Sequence, residues 1–168
     1  MLLKAFMPDL AEDSIHSLDL NVLWQKGIRG IILDIDNTLE SHRVQKPTEE
    51  TLSFLNKLKD SGFKVCLISN GREERVKIFN EDLGYFAMAK AGKPKKKGYR
   101  LAQKEMGLSE NQVAMIGDQI FTDVFGAKRC GFFSVLVEPI ESIENGFFYI
   151  KRFFEKNIRN KAKEKTKK

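Results

Sequence analysis

The sequence predicts an α/β fold, a parallel sheet covered by helices on both faces. Three observations carry this. Apolar, β-branched segments of strand length alternate with segments of helical period. The links between them are short, as in strand–helix–strand units rather than hairpins. Polar residues gather where the strands end, which is where open parallel sheets place their ligands.

The elements follow in order. Asp19 caps a short helix over LNVLWQKG, and GIRGIILDID is the first strand, opened by Gly and closed by acidic residues. Pro47 and Thr48 open a helix with Glu49 and Glu50 in its first turn and Leu52, Leu55 and Leu58 on one stripe, stopped by Gly62. FKVCLIS is a second buried strand. A helix over 72–83, a short strand over 86–89 and a helix over 96–106 ended by Gly107 come next. QVAMIG, a helix over 121–130 and the last strand FFSVLV complete the alternation.

A chain of 168 residues is the size of one ordinary domain, and its 42% hydrophobic and 31% charged residues suit a water-exposed globular unit. Its longest apolar runs fall far short of the ~20 residues a spanning helix needs. Lys4, Pro8 and Asp9 interrupt what would be the apolar stretch of a signal peptide, so a cytoplasmic location is expected. Cys66 and Cys130 show no CxxC spacing and no His/Cys cluster, which favours two buried, reduced thiols. Residues 151–168 hold nine Lys or Arg against Glu155 and Glu164, in a chain of net charge +6. The body is therefore nearly neutral, and an acidic partner would be met at the C-terminal end.

Four strand ends hold the polar residues. The first gives Asp34, Asp36, Asn37 and Thr38, the second Ser69 and Asn70, a loop after the third Lys93, and the fourth Asp118 with Asp123 five residues on. Taken singly, each has an ordinary reading: an Asx turn, a Ser-Asn-Gly turn, a solvated loop lysine, a helix cap. Their common placement supplies carboxylates, hydroxyl donors and an ammonium at one end of the sheet. That set suits a phosphate ester, which a carboxylate can attack only when cations neutralise its charge.

IILDIDNTLE, LISNG, the lysine of GKP and MIGDQIFTD resemble, in order, the four motifs of the haloacid dehalogenase superfamily. The forms DIDNTL and GDQIFTDVFGAKRCG look like its YqeG-type branch, related to mitochondrial phosphatidylglycerophosphate phosphatases. The resemblance spans residues 28–137 and implies a three-layer Rossmann-like fold. It also implies that Asp34 is the nucleophile forming an aspartyl-phosphate, and that Asp34, the backbone carbonyl of Asp36 and Asp118 hold Mg²⁺, with Asp123 behind that shell. Asp36 would protonate the leaving alkoxide and then deprotonate the attacking water. Lys93, Thr38, Ser69 and, more weakly, Asn70 would contact the phosphoryl oxygens.

Between Thr38 and Lys64 there is room for one helix, and between Asn70 and Lys93 for one helix and a short strand. Neither gap holds a cap domain, so an open site is expected, suited to a phosphate presented on something large. The loop Glu40 to Lys46, with His42 and Arg43, either flanks the substrate or is plainly solvated. The expected division is a phosphatase domain over 1–146 and a basic amphipathic helix with a lysine-rich tail over 147–168. From Ile143 onward, Ile143, Phe147, Ile150, Phe154 and Ile158 recur at helical spacing, with basic residues flanking them. It reads as a helix closing the core, as a peripheral contact with anionic membrane, or as a nucleic-acid contact. Phosphatidylglycerophosphate is the leading substrate on this reading. Its rivals are a soluble metabolite, a nucleic-acid end, or a non-catalytic protein- or RNA-binding role for the fold.

Overall fold

The computed structural model describes residues 2–141 and Ile158. Six parallel strands form one sheet in the order β1-β6-β5-β2-β3-β4. They are β1 (Leu10–Glu12), β2 (Gly30–Leu33), β3 (Lys64–Ile68), β4 (Phe86–Met88), β5 (Val113–Gly117) and β6 (Phe133–Val137). The helices between them are α1 (Leu20–Gln25), α2 (Glu49–Asp60), α3 (Glu73–Asn80), α4 (Lys96–Met106) and α5 (Phe125–Arg129).

Successive strand residues face opposite sides, so each central strand feeds two cores. Ile31 and Leu33 of β2 join Leu67, Ile116 and Val135 beneath Leu20 and Leu23 of α1, Leu55 and Leu58 of α2, and Phe79 of α3. Ile32 turns the other way, with Cys66, Ile68 and Met115, onto Tyr99, Ala102 and Met106 of α4 and Ala127 of α5. This is the three-layer arrangement expected, and it explains why β2 and β5 read as unbroken apolar runs: every residue in both is buried.

Three details differ from the sequence reading. β1 was not anticipated; it pairs with β6, Leu10 opposite Val135, and extends the sheet at one edge. The Asp9 carboxylate fastens it there, accepting from the Ser134 backbone N–H at 2.8 Å and its hydroxyl at 3.0 Å. On α2 the buried face is Thr51, Phe54, Leu55 and Leu58, whereas Leu52 stands 37% exposed. The stripe is thus rotated, because Thr51 turns inward, its hydroxyl 2.6 Å from the buried Glu40 carboxylate and 3.0 Å from the Leu39 carbonyl. The expected helix over 121–130 is two pieces, a π-helical turn at Ile120–Val124 followed by α5.

Only α2 lies between β2 and β3, and only α3 between β3 and β4. Among the described residues, no inserted domain therefore stands over the carboxyl ends of β2, β3 and β5. No helix among the described residues is long and apolar enough to cross a membrane. Of the basic segment over 147–168, only Ile158 falls among the described residues. It is helical and packs against the cluster of Ile120, Val124 and Leu136.

Candidate active site

Asp34 follows the last residue of β2 and stays in the ladder, its N–H donating to the Ile116 carbonyl at 3.0 Å. Beyond it the chain turns back: the N–H groups of Thr38, Leu39 and Glu40 all converge on the Ile35 carbonyl, and Asn37 takes a left-handed backbone (φ 64°). Asparagine is among the few non-glycine residues that tolerate this region. The turn brings the Thr38 hydroxyl within 3.5 Å of an Asp34 oxygen and 3.4 Å of an Asp118 oxygen.

Lys93 arrives from the loop after β4. Its ammonium donates to Asp34 at 2.6 Å and to Asp123 at 2.7 Å, and all three side chains are buried. Asn70 fixes the backbone of this lysine from both sides. Its amide N–H donates to the Lys93 carbonyl at 3.1 Å, and its oxygen accepts the Lys93 N–H at 2.8 Å. Ser69, fully buried beside it, accepts the Gly71 N–H on its hydroxyl oxygen at 2.9 Å.

Asp118 and Asp123 come from the end of β5 and the π-helical turn. Asp123 is aimed inward by the Gln119 N–H, which donates to it at 3.1 Å. Gly117 makes room, since a Cβ there would lie 2.3 Å from the Asp123 carboxyl carbon. Carboxylate oxygens of Asp34, Asp118 and Asp123 all lie within 4.8 Å of one another.

Three clustered buried carboxylates with one ammonium, paired to Asp34 and Asp123, leave an excess of negative charge that burial makes costly. Burial accordingly pushes the Asp34 carboxyl up to about 7, against the pull of Lys93 and with Asp123 adding to the rise. Burial works against the charge on Lys93 too, but Asp123 and Asp34 outweigh it and hold the ammonium above its ordinary range. An all-oxygen set with surplus negative charge fits a hard divalent cation.

The Asp36 carboxylate stands apart from this trio. It points to Arg75 of α3, whose Nε donates to it at 3.1 Å. Arg75 was not picked out from the sequence, since nothing in the run GREERVKIF marks which of its charged residues turns inward. His42 and Arg43 lie on the exposed loop, both facing Glu141, at 3.7 and 3.6 Å. Asn37 links that region to the site, its carbonyl accepting the Ile140 N–H at 3.1 Å.

The family profile of haloacid dehalogenase-like hydrolases matches residues 40–131. The probable phosphatase YqeG of Bacillus subtilis is 35% identical over 165 residues, covering 98% of this chain and 96% of that protein. The chain belongs to the haloacid dehalogenase-like hydrolases. As a member of that family it is a phosphatase, a hydrolase of phosphoric monoesters, with its buried acids at the expected end of the sheet. A phosphatidylglycerophosphate phosphatase of Arabidopsis thaliana is 24% identical over 152 residues, covering 84% of this chain and 43% of the plant protein. Among solved structures, a phosphatase of the same family from Thermococcus onnurineus superposes with a TM-score of 0.56 at 14% identity. That match covers 76% of this chain and 98% of the archaeal one.

Proposed function

We propose that this phosphatase transfers the phosphoryl group to Asp34, with Mg²⁺ as its metal, and that its substrate is phosphatidylglycerophosphate. The observation that carries the mechanism is the convergence of buried Asp34, Asp118 and Asp123 on one another, with the Lys93 ammonium paired to Asp34 and Asp123. An oxygen of Asp34 bonds to phosphorus as the ester P–O bond breaks, and Asp36 gives its proton to the departing alkoxide. Water then attacks the phosphorus, yields a proton to Asp36, and inorganic phosphate leaves with Asp34 restored.

Lys93 and the Thr38 and Ser69 hydroxyls bind phosphoryl oxygens; Ser69, accepting from Gly71, keeps its own O–H free to donate. Asn70 acts on the phosphate through the Lys93 backbone it grips. Asp34, Asp118 and the Asp36 backbone carbonyl would hold Mg²⁺, with Asp123 behind. There the ion supplies charge neutralisation and alignment of the phosphoryl group.

The lipid substrate is supported by the name of the plant relative and by the absence of an inserted domain over the described site. The basic, aromatic C-terminal sequence supports it too, through contact with an anionic membrane surface on the cytoplasmic side. The test is a screen of lipid, sugar and nucleotide phosphates with Mg²⁺ or with EDTA. The expected result is the highest kcat/KM on phosphatidylglycerophosphate, lost with EDTA and in Asp34→Asn. A higher value on a sugar or nucleotide phosphate would replace the lipid with a soluble metabolite.

A further inference from the structure

The proton-transfer group of this site is the least well packed of its carboxylates. The Asp36 side chain is 29% exposed, and it stands on a turn that has already left the sheet. Without a partner it would sample several rotamers, and a proton donor out of line with the leaving oxygen loses most of its effect. Two features hold it. On one side is Gly71, where a Cβ would sit 3.1 Å from Asp36 Oδ2 and 3.0 Å from Ser69 Oγ. On the other is Arg75, whose Nε meets Asp36 Oδ1 at 3.1 Å.

Arg75 is itself fixed. Its side chain is 15% exposed, its Nη1 donates to the Gln45 carbonyl at 2.8 Å, and its guanidinium lies 5.1 Å over the Phe79 ring. It therefore joins α3, the loop before α2 and the turn after β2. Its Nη2 is buried and has no hydrogen-bond partner among the described residues. A guanidinium can grip a carboxylate with two parallel N–H donors, Nε and Nη2 lying on one edge. Here only one is engaged, so the carboxylate is hinged and the second donor is in reserve for Asp36 once it turns. A buried donor without a partner is costly enough to call for a reason, and service in a second arrangement of the pair is one.

We propose that Arg75 is a positioning residue that holds Asp36 in reach of the leaving oxygen and follows its carboxylate as it passes from proton donor to proton acceptor. This rests on the reading of Asp36 as the proton-transfer group, and the test separates the two. Asp36→Asn, Arg75→Met, Arg75→Lys and the double variant Asp36→Asn/Arg75→Met are made in the full chain and assayed with Mg²⁺. The first-turnover release of alcohol is measured by quenched flow from glycerol 3-phosphate and from p-nitrophenyl phosphate. An alkoxide needs a proton to leave, whereas p-nitrophenolate does not, so loss of the donor lowers the first rate more than the second.

With a general acid worth on the order of 10²-fold, Asp36→Asn is expected to widen the gap between the two esters by about that factor. Arg75→Met should widen it by at least about tenfold, and Arg75→Lys should widen it too, because an ammonium cannot hold Gln45 and Asp36 together. The double variant should be no worse than Asp36→Asn. A purely structural arginine would slow both esters alike: a wild-type gap in both Arg75 variants, with a widened gap in Asp36→Asn, overturns the role of Arg75 alone. A wild-type gap in Asp36→Asn overturns the proton-transfer reading and the inference with it. The gap is a ratio measured on one folded sample, so Arg75→Lys decides the matter if Arg75→Met does not fold.

Discussion

At the scale of single residues, the charge imbalance around Asp34 dictates how the protein responds to mutation and pH. Burial raises the Asp34 carboxyl to about 7, whereas an unfolded aspartate stays near the ordinary 3.8. Between these values the folded metal-free protein binds the extra proton, so this residue's contribution to stability is lost as pH rises from about 4 through 7. Asp34→Asn removes that liability. Melted in EDTA, it is expected to exceed the wild type in Tm, by a margin that widens from pH 5 to pH 8, while being inactive at every pH. A margin that narrows with rising pH would refute the assignment. Gly117→Ala tests the same cluster from behind: a Cβ 2.3 Å from the Asp123 carboxyl carbon must displace that acid. Misplacement by about 1 Å costs roughly 10²-fold in rate, so a loss of that order in kcat/KM is expected, with a raised Mg²⁺ requirement in a metal titration. That Asp34, Thr38, Lys93, Asp118 and Asp123 would come together was legible from their order along the chain, because each follows a strand that can be recognised. Arg75 and the two-sided grip of Asn70 on Lys93 were not, since they depend on which way side chains turn across 39 and 23 positions of sequence.

At the scale of elements, the strands buried on both faces were the most readable part of the fold, because four or five consecutive apolar residues admit few other environments. β1 escaped notice for the converse reason. Three residues, LAE, carry no periodic signal, and what makes them a strand is pairing with β6 and the Asp9 bonds to Ser134. The division of the last helix is likewise tertiary. Tyr99 of α4 donates its hydroxyl to the Thr122 carbonyl at 2.7 Å and so fixes the π-helical turn that carries Asp123. Gly126 lets it approach, for a Cβ there would lie 2.2 Å from the Tyr99 oxygen. A glycine within a helix ordinarily gains stability, up to about 1 kcal/mol, on replacement by alanine. Here the sign reverses: Gly126→Ala is expected to destabilise by about 1–3 kcal/mol through overpacking. Tyr99→Phe, which loses one hydrogen bond, should cost about 1 kcal/mol. Chemical denaturation of both variants checks the order, and a Gly126→Ala protein more stable than the wild type would contradict the packing.

At the scale of the whole molecule, the question is what the basic C-terminal sequence does beside a nearly neutral body. Of the three readings drawn from its composition, a helix that closes the core has a foothold among the described residues. Ile158 packs against Ile120, Val124 and Leu136, as does Phe6, which stacks on Phe125 at 4.6 Å. That cluster includes two residues of the π-helical turn that carries Asp123, so the anchor bears on the stability of the acidic cluster. Ile158→Asp places a charge on this partly buried apolar surface and is expected to lower stability by about 1–2 kcal/mol, a fall in Tm of roughly 3–6 °C for a chain of this size. Charge reversal at Lys151, Lys156 and Arg159 acts on a different property. If these residues meet an anionic bilayer, each adds on the order of 1 kcal/mol to binding, weakened by salt. The triple variant should keep the wild-type Tm and its hydrolysis of p-nitrophenyl phosphate, yet lose sedimentation with phosphatidylglycerol vesicles and much of its activity on vesicle-borne phosphatidylglycerophosphate. Vesicle binding by the wild type that survives this reversal, or that is indifferent to 0.5 M salt, would remove the electrostatic part of the membrane proposal and leave the C-terminal segment its structural role through Ile158.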